Sequence, residues 1–320
     1  MSATGSPDRT RDDGRLRSGP HSPAPSSLAE SEGPRVVSAS RRTDIPALYT
    51  PWLLARLEEG RCRYFHAFAR KWFEVDLRPE AVRAIVLWSK NLARLLPHLP
   101  RIGADYPFYC HLTITGYPST LEPGSPSPEE AVAQARAIAR RLGPDHVIWR
   151  FDPIVLTEWT DRAWTRSTFA RLAAALEGVT GRCYFSFVQR YGKVRRRLAQ
   201  HGIVADELTV GAQREFALGL AEIAGRHGMT LHSCCGDPEL PGGPIRTGRC
   251  IDPDVLEAVG ARPGPRLKPA PSRAGCGCCQ SVDIGAYDTC TAGCVFCYAT
   301  NSFERAARAN AEHDPGRDSL

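Results

Sequence analysis

From Arg35 onward, short apolar runs alternate with stretches of helical period. Residues 36–40 (V-V-S-A-S) predict a strand, and residues 52–59, after Pro51, a short helix. R-A-I-V-L-W at 83–88 predicts a strand and 92–99 a helix. Residues 108–114 predict a strand that ends in Thr115-Gly116. The next helix is well marked. Ser127 suits its cap, Pro128 its first position, and Glu129 and Glu130 the positive end of its dipole. Ala131, Ala135, Ile138 and Leu142 form one stripe, and Gly143 ends it. Strands at 146–155, 182–188, 229–233 and 282–287 alternate with helices at 164–176 and 210–226. Strand then helix, repeated roughly six times, means parallel strands with crossover helices. The expected fold is α/β: a parallel (β/α) barrel, partial, of about six or seven strands.

Such barrels build their sites at the carboxyl ends of the strands, and those ends are polar here. They run into Arg41-Arg42-Thr43-Asp44, Ser89-Lys90-Asn91, Thr113 and Thr115, Arg150 and Asp152, Gln189-Arg190, His232 to Cys235, and Asp288-Thr289-Cys290. No G-x-G-x-x-G follows a strand and no phosphate-binding G-x-x-x-x-G-K-[ST] is present, so a dinucleotide or nucleoside triphosphate fold is not supported.

The chain has 320 residues, enough for one large domain, and 42% hydrophobic residues, ample for a core. Residues 1–34, rich in Ser, Pro, Gly, Arg and Asp, are expected to form a disordered tail, and 35–320 a single barrel domain. The net charge of +6 is mild, and no basic stripe with interleaved aromatics marks a nucleic-acid surface. There is no run long enough to span a membrane and no apolar signal region, so the expected setting is a reducing cytoplasm.

In that setting clustered cysteines mean metal or redox chemistry. Of twelve cysteines, Cys62, Cys110 and Cys183 lie scattered among apolar neighbours, and the other nine fall between Cys234 and Cys297. Cys290, Cys294 and Cys297 have C-x₃-C-x₂-C spacing within the loop 288–301. Three thiolates so close cannot all pair as disulfides. A 4Fe–4S cluster normally takes four cysteines, so three leave one iron for a small molecule. Zinc prefers paired C-x₂-C knuckles. The plainest alternative is reduced thiols packed in a core. Phe296 and Tyr298 flank the last cysteine and would shield a cluster from water.

A second group lies in the Cys-, Gly- and Pro-rich segment 233–280, which shows little periodicity beyond a short helix at 253–259. A loop this long is organised by something other than a core, and a metal can do it. Four thiolates make a closed site: Cys235, Cys250, Cys276 and Cys278, with Cys234 and Cys279 as substitutes. A second 4Fe–4S cluster, structural zinc and free thiols are the readings.

Other residues carry two readings each. Arg150 and Asp152, two apart, share a face of their strand, as an ion pair or as cofactor contacts. Arg41, Arg42 and Asp44 fit a clamp for a carboxylate and an ammonium, or a solvated turn. His232 is a ligand, a proton donor or a core residue. Lys193, Arg195, Arg196 and Arg197 read as a solvated helix start rather than a phosphate patch. The tryptophans Trp72, Trp88, Trp149, Trp159 and Trp164 read as core or rim.

C-T-A-G-C-V-F-C-Y resembles the cluster loop of the radical S-adenosylmethionine enzymes, and Y-D-T-C-x₃-C-x-F-C-Y-A is similar to their spore photoproduct lyase-like branch. Over residues 36–301 the chain resembles the bacterial domain-of-unknown-function family numbered 1848, through S-A-S-R-R-T-D-I-P, W-R-F-D-P and S-V-D-I-G-A-Y-D-T-C. The first resemblance implies that Cys290, Cys294 and Cys297 hold three irons of a cluster and that S-adenosylmethionine chelates the fourth. Arg41, Asp44, Arg150 and Asp152 would contact that cofactor. A flavodoxin or ferredoxin would supply low-potential electrons, and a 5′-deoxyadenosyl radical would act on a substrate. Those enzymes usually carry the loop on the first strand. Here only residues 298–320 follow it, so the barrel is expected to be circularly permuted. The competing function is a non-catalytic iron–sulfur or zinc-binding protein, an electron carrier or adaptor.

Overall fold

The computed structural model describes residues 33–320 apart from 68, 237 and 274. The expected tail, but for its last two residues, lies outside the described residues. The strands are β1 (Arg35–Ala39), β2 (Arg61–His66), β3 (Lys71–Asp76), β4 (Val82–Ser89), β5 (Phe108–Thr113), β6 (Val147–Ile154), β7 (Arg182–Phe187), β8 (Thr230–Ser233), β9 (Ile245–Thr247) and β10 (Val282–Asp283). The α-helices are α1 (Ile45–Leu48), α2 (Thr50–Glu59), α3 (Leu99–Asp105), α4 (Pro128–Leu142), α5 (Arg162–Ala175), α6 (Gly192–Gln200), α7 (Val210–Arg226), α8 (Pro253–Ala258) and α9 (Phe303–Ala311).

Eight strands form one sheet in the order β10-β1-β4-β5-β6-β7-β8-β9. Its pairings are parallel, as the strand–helix alternation requires. The α/β expectation holds in this form. Among the described residues no hydrogen-bonded pair joins the edge strands β9 and β10.

Parallel strands are covered on both faces, and the period of two sorts their side chains. Ile85, Leu87, Cys110, Leu112, Trp149, Phe151 and Phe185 pack against the crossover helices. Their neighbours Val36, Ala84, Val86, Tyr109, Ile148 and Tyr184 face the cysteine segment and α8. That second face also carries Ser38, Trp88, His111, Arg150, Asp152 and His232, brought into rows by the pairing Trp88↔His111, Arg150↔Tyr184 and Tyr184↔His232.

α4 begins with a full capping box between Ser127 and Glu130. The helix expected at 92–99 does not form. Pro97 and Pro100 lack the amide hydrogens it would need, so the chain makes a 3₁₀ turn (Leu96–His98) and then α3. The closing strand is shorter than 282–287. Gly285 passes so close to Ser40 that a Cβ there would sit 2.0 Å from its Oγ, and only Val282–Asp283 pair with β1. The antiparallel hairpin β2–β3 stands apart from the main sheet. Among the described residues no helix is long and apolar enough to cross a membrane.

Candidate metal centre

Asp283 fixes where the cysteine loop begins. Its carboxylate, nearly buried at the end of β10, accepts from Ser38 Oγ at 3.0 Å, Ser40 Oγ at 2.6 Å, the Arg41 amide at 2.8 Å and the Gly285 amide at 3.1 Å. The chain then turns at Asp288, which has a left-handed backbone (φ 58). Asp288 closes the loop by accepting from Asn301 Nδ2 at 3.0 Å while its amide donates to the Ala299 carbonyl at 3.2 Å. Tyr49 donates to the Thr289 carbonyl at 2.6 Å. On the other side, the amides of Gly124 and Val295 complete bonds to Ala292 O at 2.9 Å and Leu121 O at 3.1 Å.

The third anchor is Arg197. Its guanidinium donates to the carbonyls of Cys294 at 3.3 Å, Thr300 at 2.8 Å and Cys297. The solvated-run reading holds for Arg195 and Arg196, which are exposed, and is corrected for Arg197. Val194, Arg197 and Leu198 are the buried residues of α6, at the i, i+3, i+4 spacing that defines a packed helix face. That spacing was the signal in the sequence. Lys193 bonds Asn301 Oδ1 at 2.9 Å, so it too serves the loop.

Cys290 lies beside Asp44, just past β1, and Cys294 beside Lys90, just past β4; each also feels the charge of Cys297. Burial pushes Cys290 up to about 12, and the Asp44 carboxylate adds to it. Burial also raises Cys294, against the pull of Lys90. Two carboxylates stand near these sulfurs, and both are fully engaged. Asp44 caps α1 through the Ala47 amide at 3.0 Å and accepts from Ser89 Oγ at 2.6 Å and the Lys90 amide at 2.8 Å. Glu122 accepts from Lys90 Nζ at 2.6 Å, Thr115 Oγ1 at 2.9 Å and Ser125 Oγ at 3.0 Å. Burial alone would lower the Lys90 ammonium, but Glu122, Cys294 and Asp44 together outweigh it and raise Lys90. The donors left for a metal are therefore the three cysteines. Phe296 is buried beneath them, whereas the Tyr298 ring is exposed and its hydroxyl donates to the Arg41 carbonyl at 2.6 Å.

The other expected cofactor contacts sit deeper. Arg150 pairs with Asp152, which also accepts from Ser186 Oγ. Arg150 then points Nη1 at Cys250 Sγ (3.2 Å) and Nη2 at Cys234 Sγ (3.5 Å). Arg41 turns to Asp283 and Ser281 Oγ. Both guanidinium groups lie over Trp88, at 6.0 and 5.3 Å. Arg41 and Arg150 thus meet beside the second cysteine group. Trp88 stacks on His111 at 4.2 Å, and His111 Nε2 lies 2.8 Å from the Cys250 carbonyl. Burial, with Arg150 close by, pushes His111 down to about 3, so the ring is neutral. Burial and Arg182 push His232 down to about 4, and it packs on Tyr184.

In the second group, Cys234 Sγ lies 3.1 Å from Cys250 Sγ and 3.9 Å from Cys235 Sγ, and the Cys250 amide donates to Cys278 Sγ at 3.2 Å. Ser272 Oγ reaches Cys276 Sγ at 3.5 Å. The sulfurs touch one another, and among the described residues no three Cys, His, Asp or Glu side chains are spread around a common ion position. A cavity of about 690 Å³ beside Phe108, His146 and Arg262 lies at the amino ends of the strands, away from the cysteines.

A mostly parallel α/β sheet with one cysteine group against a face and another in a loop beyond the strands defines a class of architecture. The chain belongs to the family described as Domain of unknown function (DUF1848), whose model matches residues 36–299. Neither a curated protein nor a solved structure matches it.

Proposed function

We propose that the chain is an iron–sulfur protein of the radical S-adenosylmethionine type, with Cys290, Cys294 and Cys297 as the cluster ligands. The observation that carries the reading is the donor set. Cys290, Cys294 and Cys297 lie near enough to feel one another's charge, and the nearby carboxylates of Asp44 and Glu122 are already saturated by protein donors, which supports the reading. A 4Fe–4S cluster held by three thiolates supplies, when bound, one-electron reductive cleavage of S-adenosylmethionine chelated at its fourth iron. The chain's own residues do the rest. Arg197 and Asp288 fix the loop, and Phe296 closes its inner side against water. The fold is read as a partial barrel permuted in sequence. Its loop-bearing strand comes last in the chain yet pairs with β1. The setting is a reducing cytoplasm with a flavodoxin- or ferredoxin-like donor.

The test is anaerobic reconstitution with iron and sulfide, followed by S-adenosylmethionine and dithionite. Formation of 5′-deoxyadenosine by the wild type, lost in Cys294→Ala, is the expected result. A fully loaded protein that leaves the cofactor intact defeats the proposal.

A further inference from the structure

We infer that the second cysteine group is a separate, closed metal site, in which four of the five thiols of Cys234, Cys235, Cys250, Cys276 and Cys278 bind one tetrahedral zinc-like ion as thiolates. It goes beyond the reactive loop and does not depend on it. Three segments, 233–236, 248–250 and 275–278, are folded tightly onto one another. A Cβ on Gly248 would meet the Ser233 carbonyl oxygen at 2.6 Å, and one on Gly275 would meet the Gly236 oxygen at 2.3 Å. Glycine at these positions is what lets the three cysteine-bearing segments touch.

The backbone also aims the sulfurs. Consecutive residues in an extended chain point to opposite sides. Cys235 instead adopts a left-handed backbone (φ 53), and its sulfur comes within 3.9 Å of Cys234 Sγ. Such a conformation is strained in a non-glycine residue, and strain of this kind clusters at functional sites. Cys279 lies outside the group. It sits in a bridge with Pro269, and its amide donates to Ile251 O at 3.1 Å.

Size and charge select the occupant. Tetrahedral zinc with bonds of about 2.3 Å holds its sulfurs about 3.8 Å apart. Of the sulfur contacts here, the one at 3.9 Å already matches that spacing, and the one at 3.1 Å has to open by about 0.7 Å to reach it. A cubane, with one cysteine on each of four irons, spreads them wider. A divalent ion with four thiolates carries a net charge of −2 and releases four protons as it binds. Cations stand ready: Arg150 donates to Cys234 and Cys250, Arg273 lies against Cys235, and Arg41 faces Cys250 and Cys278. Guanidinium donors aimed at sulfur suit thiolates and would be poorly used on a disulfide. The buried row Ser186–Asp152–Arg150 orients the donor, and Tyr109 fixes the Cys250 carbonyl at 2.7 Å.

The experiment uses the full chain with Cys290, Cys294 and Cys297 changed to Ala, so that failure of the iron–sulfur proposal cannot affect the result. About one zinc per chain and no acid-labile sulfide are expected. Stripping the zinc with a chelator should expose additional titratable thiols, and refilling with cobalt should give a sulfur-to-cobalt charge-transfer band. Adding Cys234→Ala and Cys250→Ala leaves three of the five thiols and should lower zinc retention at least tenfold, while Cys279→Ala leaves it unchanged. Metal-free protein that gives no cobalt band overturns the assignment. So does sulfide persisting in the loop variant, or a Cys234–Cys250 disulfide in anaerobically prepared protein. The cobalt band keeps the test decisive should the multiple variant not fold.

Discussion

Arg197 donates to the carbonyl of Cys294 at 3.3 Å, which makes a helix guanidinium the clamp of the cysteine loop. Arg197→Ala should free three carbonyls and lower iron retention after reconstitution by about 10- to 100-fold, the usual cost of losing an outer partner of a metal site. Arg197→Lys should recover little, since one ammonium cannot span three acceptors in a plane. Iron per chain after gel filtration is the readout. Retention equal to wild type in Arg197→Ala would show that the clamp is dispensable.

Lys90 and Glu122 form a buried pair beside Cys294. Lys90→Met should destabilise the fold by about 3–5 kcal/mol, because it strands a buried carboxylate. The double variant Lys90→Met with Glu122→Gln should regain part of that loss, as coupled neighbours do. Urea denaturation of the two variants measures the difference.

Asp283 carries the junction between β10 and β1. Asp283→Ala leaves the Ser38 and Ser40 hydroxyls without this acceptor and removes the carboxylate partner of Arg41, which keeps Ser281 Oγ. A loss of about 3–5 kcal/mol is expected in the same denaturation assay, again as the cost of one missing partner in a buried ion pair.

Gly124 touches the loop backbone. A Cβ there would come within 2.6 Å of Ala292 O, whereas one on Gly181 meets nothing within 4 Å. Gly124→Ala should push the loop outward and reduce iron loading severalfold, and Gly181→Ala should not. Equal loading of the two would contradict the close approach.

Burial lowers the pKa of His146, which packs edge-on against Phe108. In the folded state the ring therefore resists protonation, while the unfolded chain takes up a proton below about pH 6.5. The unfolded state then binds more protons, so stability falls as pH drops below that value and is fully present above it. His146→Gln should flatten this part of the melting-temperature profile. A profile as steep as wild type would assign the acid limb to other groups.

Much of the fold was legible because local signals agreed with the global one. Ser127, Pro128 and Glu130 spell a helix start whatever surrounds them, and the period of two put Arg150 and Asp152 on one face. Spacing alone singled out the cysteine trio as the candidate ligands. Other features depend on contacts between distant segments. Nothing local tells that Asp44 is spent on Ser89 and Lys90, or that Glu122 closes on Lys90. Cys234 and Cys235 looked interchangeable until the left-handed turn at Cys235 turned both sulfurs into one group. The hairpin β2–β3, rich in Arg and His, lacks the apolar run that announced the other strands.

The bonds from Ser38 and Ser40 to Asp283 span 245 and 243 residues of chain. During synthesis β1 therefore waits with a bare edge until nearly all of the sheet behind it has been made. Both groups of sulfurs emerge late, onto a scaffold whose central strands are already in place. An order of this kind keeps the sulfurs of these two groups unguarded for the shortest time, and it makes their gathering a closing event in the protein's assembly rather than its beginning.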